Sequence, residues 1–343
     1  MTLLVTGATG FVMSVLARHW LDADPHARLV ILDAAAPDAA FTRYFASVAE
    51  RLSIVVADVT QPHSWLDALS RHNITCIVHG ATITPISRGT AEAARREPET
   101  ENPARIMDVN LMGTVAVLDW ARTLPALRRF IYVSSGSVYK HHGPDRPGEP
   151  LPEDGYVMPR TLYGVSKLAS ELVVERYGDL FGLSTASVRL ASVYGTMDRP
   201  TASRNYRHVP NRIAHLAVEG AGRVRVNALE GVGDYVHSED VARAILALLR
   251  AERLRYSVYN IAMGHTVTLG DLVGWAAEKC PGFRAEISPA AEADIVQDAS
   301  RVDGMWGAYD ISRLTFETGW RPRPVREAFH GYMDWIAAQG RLT

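Results

Sequence analysis

The N-terminal strand, glycine-rich turn and helix constrain this chain more than any other stretch. Leu3-Leu4-Val5 is a short apolar run that stops at Thr6-Gly7-Ala8-Thr9-Gly10-Phe11-Val12-Met13, and helical spacing continues from Ser14 to Leu21. Glycines in such a turn let backbone approach a pyrophosphate, while the helix N-terminus presents N–H groups to it. The turn alone is a weak signal, and the strands and acids downstream of it give it weight.

Arg28-Leu29-Val30-Ile31-Leu32-Asp33 reads as a second strand ending in an acid. Asp33 lies at about the ~20-residue distance expected for a carboxylate on an adenosine ribose. Ala34, Ala35 and Ala36 come next with no arginine, so a 2′-phosphate would meet a carboxylate with no cation beside it. That favours NAD over NADP. Leu52 to Val59 and Ile74 to Ala81 supply a third and a fourth strand separated by helical stretches, a β-α-β-α pattern that implies a parallel sheet with helices on both faces. Ligands then bind at the carboxyl ends of the strands, where Asp58 and the Gly80-Ala81 pair fall. His79 falls there too and reads as a packed core residue.

The 343 residues suit a large α/β domain with a smaller companion, and 47% hydrophobic with 22% charged residues is globular composition. A net charge of -2 gives no general attraction to nucleic acid or anionic membrane. Cys76 and Cys280 lie far apart, which suggests neither a disulfide framework nor a metal site. The N-terminus has no basic leader pattern, and no apolar run approaches the ~20 residues of a membrane helix. The expectation is a cytoplasmic protein.

Further along, Phe130-Ile131-Tyr132-Val133 is a strand ending in the hydroxyl cluster Ser134-Ser135-Gly136-Ser137, and Leu162 to Glu171 has helical character. There Tyr163 and Lys167 stand four apart on one face, so the ammonium can lie beside the phenol. A phenol titrates near pH ~10, and running it as a base near neutrality takes roughly 4 kcal/mol, to which a nearby cation contributes.

Thr-Gly-Ala-Thr-Gly-Phe-Val at 6 to 12, Asp33, Asp58-Val59, His79-Gly80-Ala81, Val109 to Thr114 around Asn110, Ser134-Ser135 and Tyr163-Gly164-Val165-Ser166-Lys167 occur in the order seen in extended short-chain dehydrogenases/reductases. The chain resembles their NAD-dependent epimerase/dehydratase branch, and the likeness continues through Arg189 to Gly195, Asp234 to Val241 and Val258 to Ile261, ending near Pro322. The resemblance implies a Rossmann-type doubly wound parallel sheet with a smaller mixed α/β C-terminal substrate domain. It makes Tyr163 the acid/base and Lys167 the group that lowers its pKa and holds the nicotinamide ribose. Ser135, rather than Ser134, becomes the hydroxyl on the reacting oxygen. Gly7, Gly10, Phe11 and Val12 would line the pyrophosphate, Asp33 the ribose, Asp58 and Val59 the adenine, with Asn110 supporting the cofactor side and Val193 near the carboxamide. It also implies a homodimer through the helices around Ala104–Thr123 and Leu162–Phe181.

Four departures bear on the reaction. Met13 stands where a third glycine is usual, which implies a slightly displaced helix. Gly136-Ser137 occupies the place of the Asp-Glu pair of sugar-nucleotide dehydratases, which argues against elimination. Ser192 and Gly233 replace an Asn and an Arg that resemble diphosphate contacts in sugar-nucleotide epimerases, and a buried pyrophosphate needs donors and countercharge. The expectation is therefore oxidation of a free sugar, sugar acid or related hydroxy acid, with Ser135, Ser137, Tyr163, Ser192 and Arg204 on the substrate side. The alternatives are a nucleoside-diphosphate-sugar epimerase with transient NAD reduction and a catalytically silent NAD sensor. Residues 1–188, with a return at about 236–262, read as the NAD-binding domain, and 189–235 with 263–343 as the substrate domain. Trp306, Trp320 and Trp335 read as packing aromatics.

Overall fold

The computed structural model describes residues 1–84, 98–139, 149–201, 208–302 and 306–340. Six strands form in chain order: β1 (Thr2–Thr6), β2 (Arg28–Asp33), β3 (Leu52–Val56), β4 (Cys76–His79), β5 (Arg129–Ser135) and β6 (Thr185–Leu190). With a later strand, Val258–Ile261, they make one seven-stranded parallel sheet in the order Val258–Ile261, β6, β5, β4, β1, β2, β3. The inner strands are nearly continuous apolar runs because helices cover both faces, whereas the edge strand β3 alternates in burial. Chain order reverses between β1 and β4, so a crevice opens at their carboxyl ends.

Helix α1 (Phe11–Asp22) packs on one face, beside a helix at Ser238–Arg250 whose Val241, Ala242, Ile245, Leu248 and Leu249 repeat at helical spacing. The other face is covered by α2 (Gly113–Ala121) and α3 (Leu162–Phe181), with Trp65, Val117, Leu118 and Val174 in its core. α3 starts where the Thr161 hydroxyl accepts the Gly164 N–H (3.1 Å) and stops at Gly182, whose φ of 67° fits the left-handed helix end. The helix expected from Ala104 to Thr123 is broken by a π turn at Asp108–Met112 that carries Asn110.

A third core gathers helices Val209–Val218, Leu269–Lys279 and Val325–Gly340 around a parallel strand pair, Arg223–Val226 with Arg284–Ile287. Ser192–Tyr194 and Tyr235–His237 pair with each other, and Val232–Gly233 pairs antiparallel with Val267–Thr268. No helix among the described residues is long and apolar enough to cross a membrane.

Candidate active site

A cavity of about 670 Å³ runs along the carboxyl ends of β1, β2, β4 and β5 and under the C-terminal segments. One end is built on the glycine turn. Gly7 has φ 73°, and a Cβ there would lie 2.9 Å from the Ala81 backbone, so only glycine fits this approach. α1 begins without a capping side chain, leaving its first turn to the cavity, which Gly10, Phe11 and Val12 line. Met13 has its own compensation: its side chain occupies the volume beside Gly80, where a Cβ would meet Met13 Cγ and Sδ at 2.6 Å. The bulk added on the helix is matched by a residue without a side chain on the facing strand end.

Asp33 lines the cavity, and its carboxylate accepts the Thr9 N–H (2.9 Å), the Thr9 hydroxyl (2.8 Å) and the Ala35 N–H (2.9 Å). Thr9 thus ties the glycine turn to the acid. Asp58 and Val59 lie on the same wall. Burial raises the Asp58 pKa, but bonds from the Thr60 N–H and hydroxyl and from Arg105 outweigh it and hold the carboxyl below its ordinary range. Gly80 and Ala81 also line the cavity, their N–H groups donating to Thr6 Oγ1 (3.1 and 3.0 Å).

His79 is a packed core residue. Thr6 Oγ1 lies 2.7 Å from Nδ1 and Thr114 Oγ1 3.1 Å from Nε2, and burial lowers its pKa to about 3, so the ring is neutral. With Thr6 already accepting two N–H groups, the network assigns its O–H to Nδ1 and the ring proton to Nε2. Asn110 is also buried but does not line the cavity. Its Oδ1 accepts the Ile83 N–H (2.7 Å), while Nδ2 donates to the Ile83 carbonyl (3.1 Å) and Ser166 Oγ (3.0 Å). It fixes the backbone of a cavity-lining segment from behind.

At the other end Ser135, Tyr163 and Lys167 converge. β5 ends at Ser135, whose hydroxyl accepts the Ser137 N–H (3.2 Å) and lies close enough to the Tyr163 phenol to favour its ionised form. Ser134 is unavailable for that role because it donates to Glu171. Lys167 Nζ donates to the Val133 carbonyl (2.8 Å) and stands 5.6 Å from the Tyr163 ring centroid. The electrostatics differ from expectation. Burial raises the Tyr163 pKa to about 12 against the influence of the Ser135 hydroxyl, and burial lowers that of Lys167 to about 7 against the pull of Glu171. In the protein alone, desolvation outweighs the cation–phenol attraction.

Ser137, Ser192 and Val193 line the cavity, and the Ser137 hydroxyl has no partner among the described residues. Arg204 lies outside the described residues. Thr201, in the hydroxyl- and arginine-rich stretch after the sixth strand, is in the lining; sequence reasoning missed Thr9, Arg105, His208 and Tyr309, all in the lining, and took Trp306, also in the lining, for a packing residue. Only Thr9, inside the glycine turn, carried a local signal; the others arrive from distant segments. Among the described residues no cluster of His, Cys, Asp or Glu could hold a metal ion.

The profile of the NAD dependent epimerase/dehydratase family matches residues 3–262. A dTDP-glucose 4,6-dehydratase of Shigella flexneri is 24% identical over 365 residues, covering 98% of this chain and 93% of its own. A UDP-glucose 4-epimerase of Mycolicibacterium smegmatis is 29% identical over 251 residues, covering 72% of each. A UDP-glucuronic acid 4-epimerase from Bacillus cereus, solved with UDP-glucuronic acid and NAD, superimposes with a TM-score of 0.77 over 99% of this chain and 100% of its own at 20% identity, a likeness of fold. These relatives are named for nucleotide-linked sugars. The expectation of a free sugar or sugar acid finds no support in them, and its weakness is physical: losing two donors at Ser192 and Gly233 says nothing of donors from segments such as Thr201 and His208.

Proposed function

We propose that this chain, which belongs to the NAD-dependent epimerase/dehydratase family, is an enzyme that epimerises a nucleoside-diphosphate sugar at a carbinol carbon. The observation that carries the reading is the convergence of Ser135, Tyr163 and Lys167 at one end of a cavity whose other end is the Gly7–Val12 turn and Asp33. That cavity suits NAD: a close backbone approach, an uncapped helix start and an acid at the second strand's end. NAD supplies a hydride acceptor that can return the hydride to either face of a ketone.

Around it, Tyr163 takes the carbinol proton as hydride leaves and gives it back on return, and Ser135 donates to the oxygen as charge develops. A cationic nicotinamide would add to Lys167 the positive charge that the protein alone lacks for bringing the phenol's pKa down. Gly7, Gly10, Phe11 and Val12 hold the pyrophosphate, Asp33 the ribose, Asp58 and Val59 the adenine, and Gly80, Ala81 and Val193 flank the nicotinamide half, with Asn110 positioning Ile83. Ser137 and Ser192 face the sugar. Gly136-Ser137 offers no carboxyl for elimination, which favours epimerase over dehydratase. Residues 1–188 with about 236–262 form the NAD-binding unit and the remainder the substrate-binding unit.

Two copies pair through the α3 face, where Val165, Leu172 and Phe181 are exposed together with Met112 of the π turn. Equilibrium sedimentation tests this, a monomer refuting it. Cytoplasmic placement is supported by the two free cysteines.

The experiment is incubation of protein and NAD with UDP- and dTDP-sugars deuterated at the carbinol carbon. Isomers that keep their deuterium, without accumulating NADH, are expected. Accumulation of NADH with a free sugar acid would establish a net dehydrogenase instead.

A further inference from the structure

Gly136, the residue after Ser135, has no positive φ, so its lack of a side chain serves space rather than backbone conformation. A Cβ there would stand 2.0 Å from the Tyr309 hydroxyl oxygen and 2.6 Å from its Cε1 and Cζ. The phenol of a residue near the C-terminus is therefore laid over the turn that carries Ser135, and Tyr309 lines the cavity.

Its placement is fixed from several sides. The Tyr309 N–H donates to buried Asp234 (3.2 Å), which also accepts the Met263 and Gly264 N–H groups (2.7 and 3.1 Å). The ring packs edge-on against Tyr139 (5.7 Å, 63°), itself held by donation to Asn260 (2.8 Å). Leu151 binds the backbone on both sides, donating to the Ala308 carbonyl (2.8 Å) and accepting the Asp310 N–H (3.0 Å). Yet the hydroxyl at the end of this braced ring has no hydrogen-bond partner among the described residues. Burial raises its pKa, so it is a neutral phenol and not a second base.

We infer that Tyr309 is a specificity-determining residue that hydrogen-bonds the sugar beside the carbinol addressed by Ser135 and Tyr163, and does not touch the nucleotide. The inference rests on the nucleotide-sugar reading of the site. A braced polar group loses little freedom on binding, so it discriminates between sugar substituents rather than adding general affinity.

The test is calorimetric titration of NAD-loaded wild type and Tyr309→Phe with UDP-glucose, dTDP-glucose, UDP and dTDP. Tyr309→Phe keeps the ring against Tyr139. The margin by which wild type binds nucleotide sugar over bare diphosphate is expected to shrink by roughly 3- to 10-fold, the size of one neutral hydrogen bond, with diphosphate binding unchanged. An unchanged margin, or wild type binding sugar nucleotide and diphosphate alike, overturns the inference alone. Wild type binding no nucleotide sugar overturns the functional reading and this inference with it. As a companion, Gly136→Ala lowers the melting temperature in the Tyr309 background and less in Tyr309→Ala; equal losses would refute the contact.

Discussion

At the scale of the residue, Tyr163 and Lys167 show burial and catalysis opposed. Tyr163→Phe removes one hydroxyl from a buried ring and is expected to cost about 10²–10⁴ in turnover while leaving NAD affinity intact, checked by steady-state rates beside NAD titration. Unchanged activity would remove Tyr163 from the mechanism. Lys167 tests the electrostatics through pH. Its folded pKa is depressed to about 7 from 10.5, so between those values the unfolded chain holds a proton that the folded chain lacks. Its contribution to stability therefore rises with pH across that window, and the cost of the buried ammonium is greatest below it. Lys167→Met removes this dependence: the melting-temperature difference, variant minus wild type, should be more positive near pH ~6 than near pH ~10. Equal differences would mean that Lys167 stays charged throughout. Tyr163 and Lys167 were readable as a pair because four residues is one helical turn, but the direction of the phenol's shift depends on burial, which spacing does not report.

At the scale of the element, α3 must hold its orientation for Tyr163 to meet Ser135, and a buried ion pair sets it. Glu171 accepts a bidentate contact from Arg189 on β6 (Nη2 2.7 Å, Nε 3.0 Å) and the Ser134 hydroxyl on β5, while Arg189 also donates to the Glu153 carbonyl (2.9 Å) and lies over Tyr139. Both charges are almost fully buried, at 5% and 3% exposure. Glu171→Ala leaves the guanidinium without its countercharge and should cost about 3–5 kcal/mol, read from denaturant unfolding, with activity falling in parallel. A loss below about 1 kcal/mol would mean that water reaches the pair. Strand and helix existence was legible from apolar runs and their period. The π turn at Asp108–Met112 was not, because an extra residue in one turn barely disturbs a helical pattern.

At the scale of the molecule, Arg199 joins the segment after the Ser192–Tyr194 strand to the cofactor turn. It donates to Asp38 through Nε (3.0 Å) and Nη2 (2.9 Å), and to the carbonyl of Thr9 (3.3 Å), the residue that also binds Asp33. The ion pair is partly exposed and contributes about 0–1 kcal/mol to stability, so Arg199→Ala should barely move the melting temperature. Because the clasp bears on Thr9, NAD affinity is expected to fall by roughly 3-fold, corresponding to one modest polar contact. An unaltered NAD affinity in a titration would make Arg199 a surface contact only.

What the sequence determined by itself was whatever recurs at short range: the glycine turn, the parallel α/β order, the acid ending β2 and the Tyr163–Lys167 turn. Each is a pattern of a few residues whose local chemistry admits few conformations. The tertiary structure alone decided that Ser134 is engaged by Glu171, that Met13 is matched by Gly80, that Asn110 works from behind the cavity wall, and that Tyr309 stands over Gly136. Those outcomes depend on segments up to 173 positions apart in the chain meeting at van der Waals distance. Such meetings are fixed by how the cores pack, and no local periodicity records them.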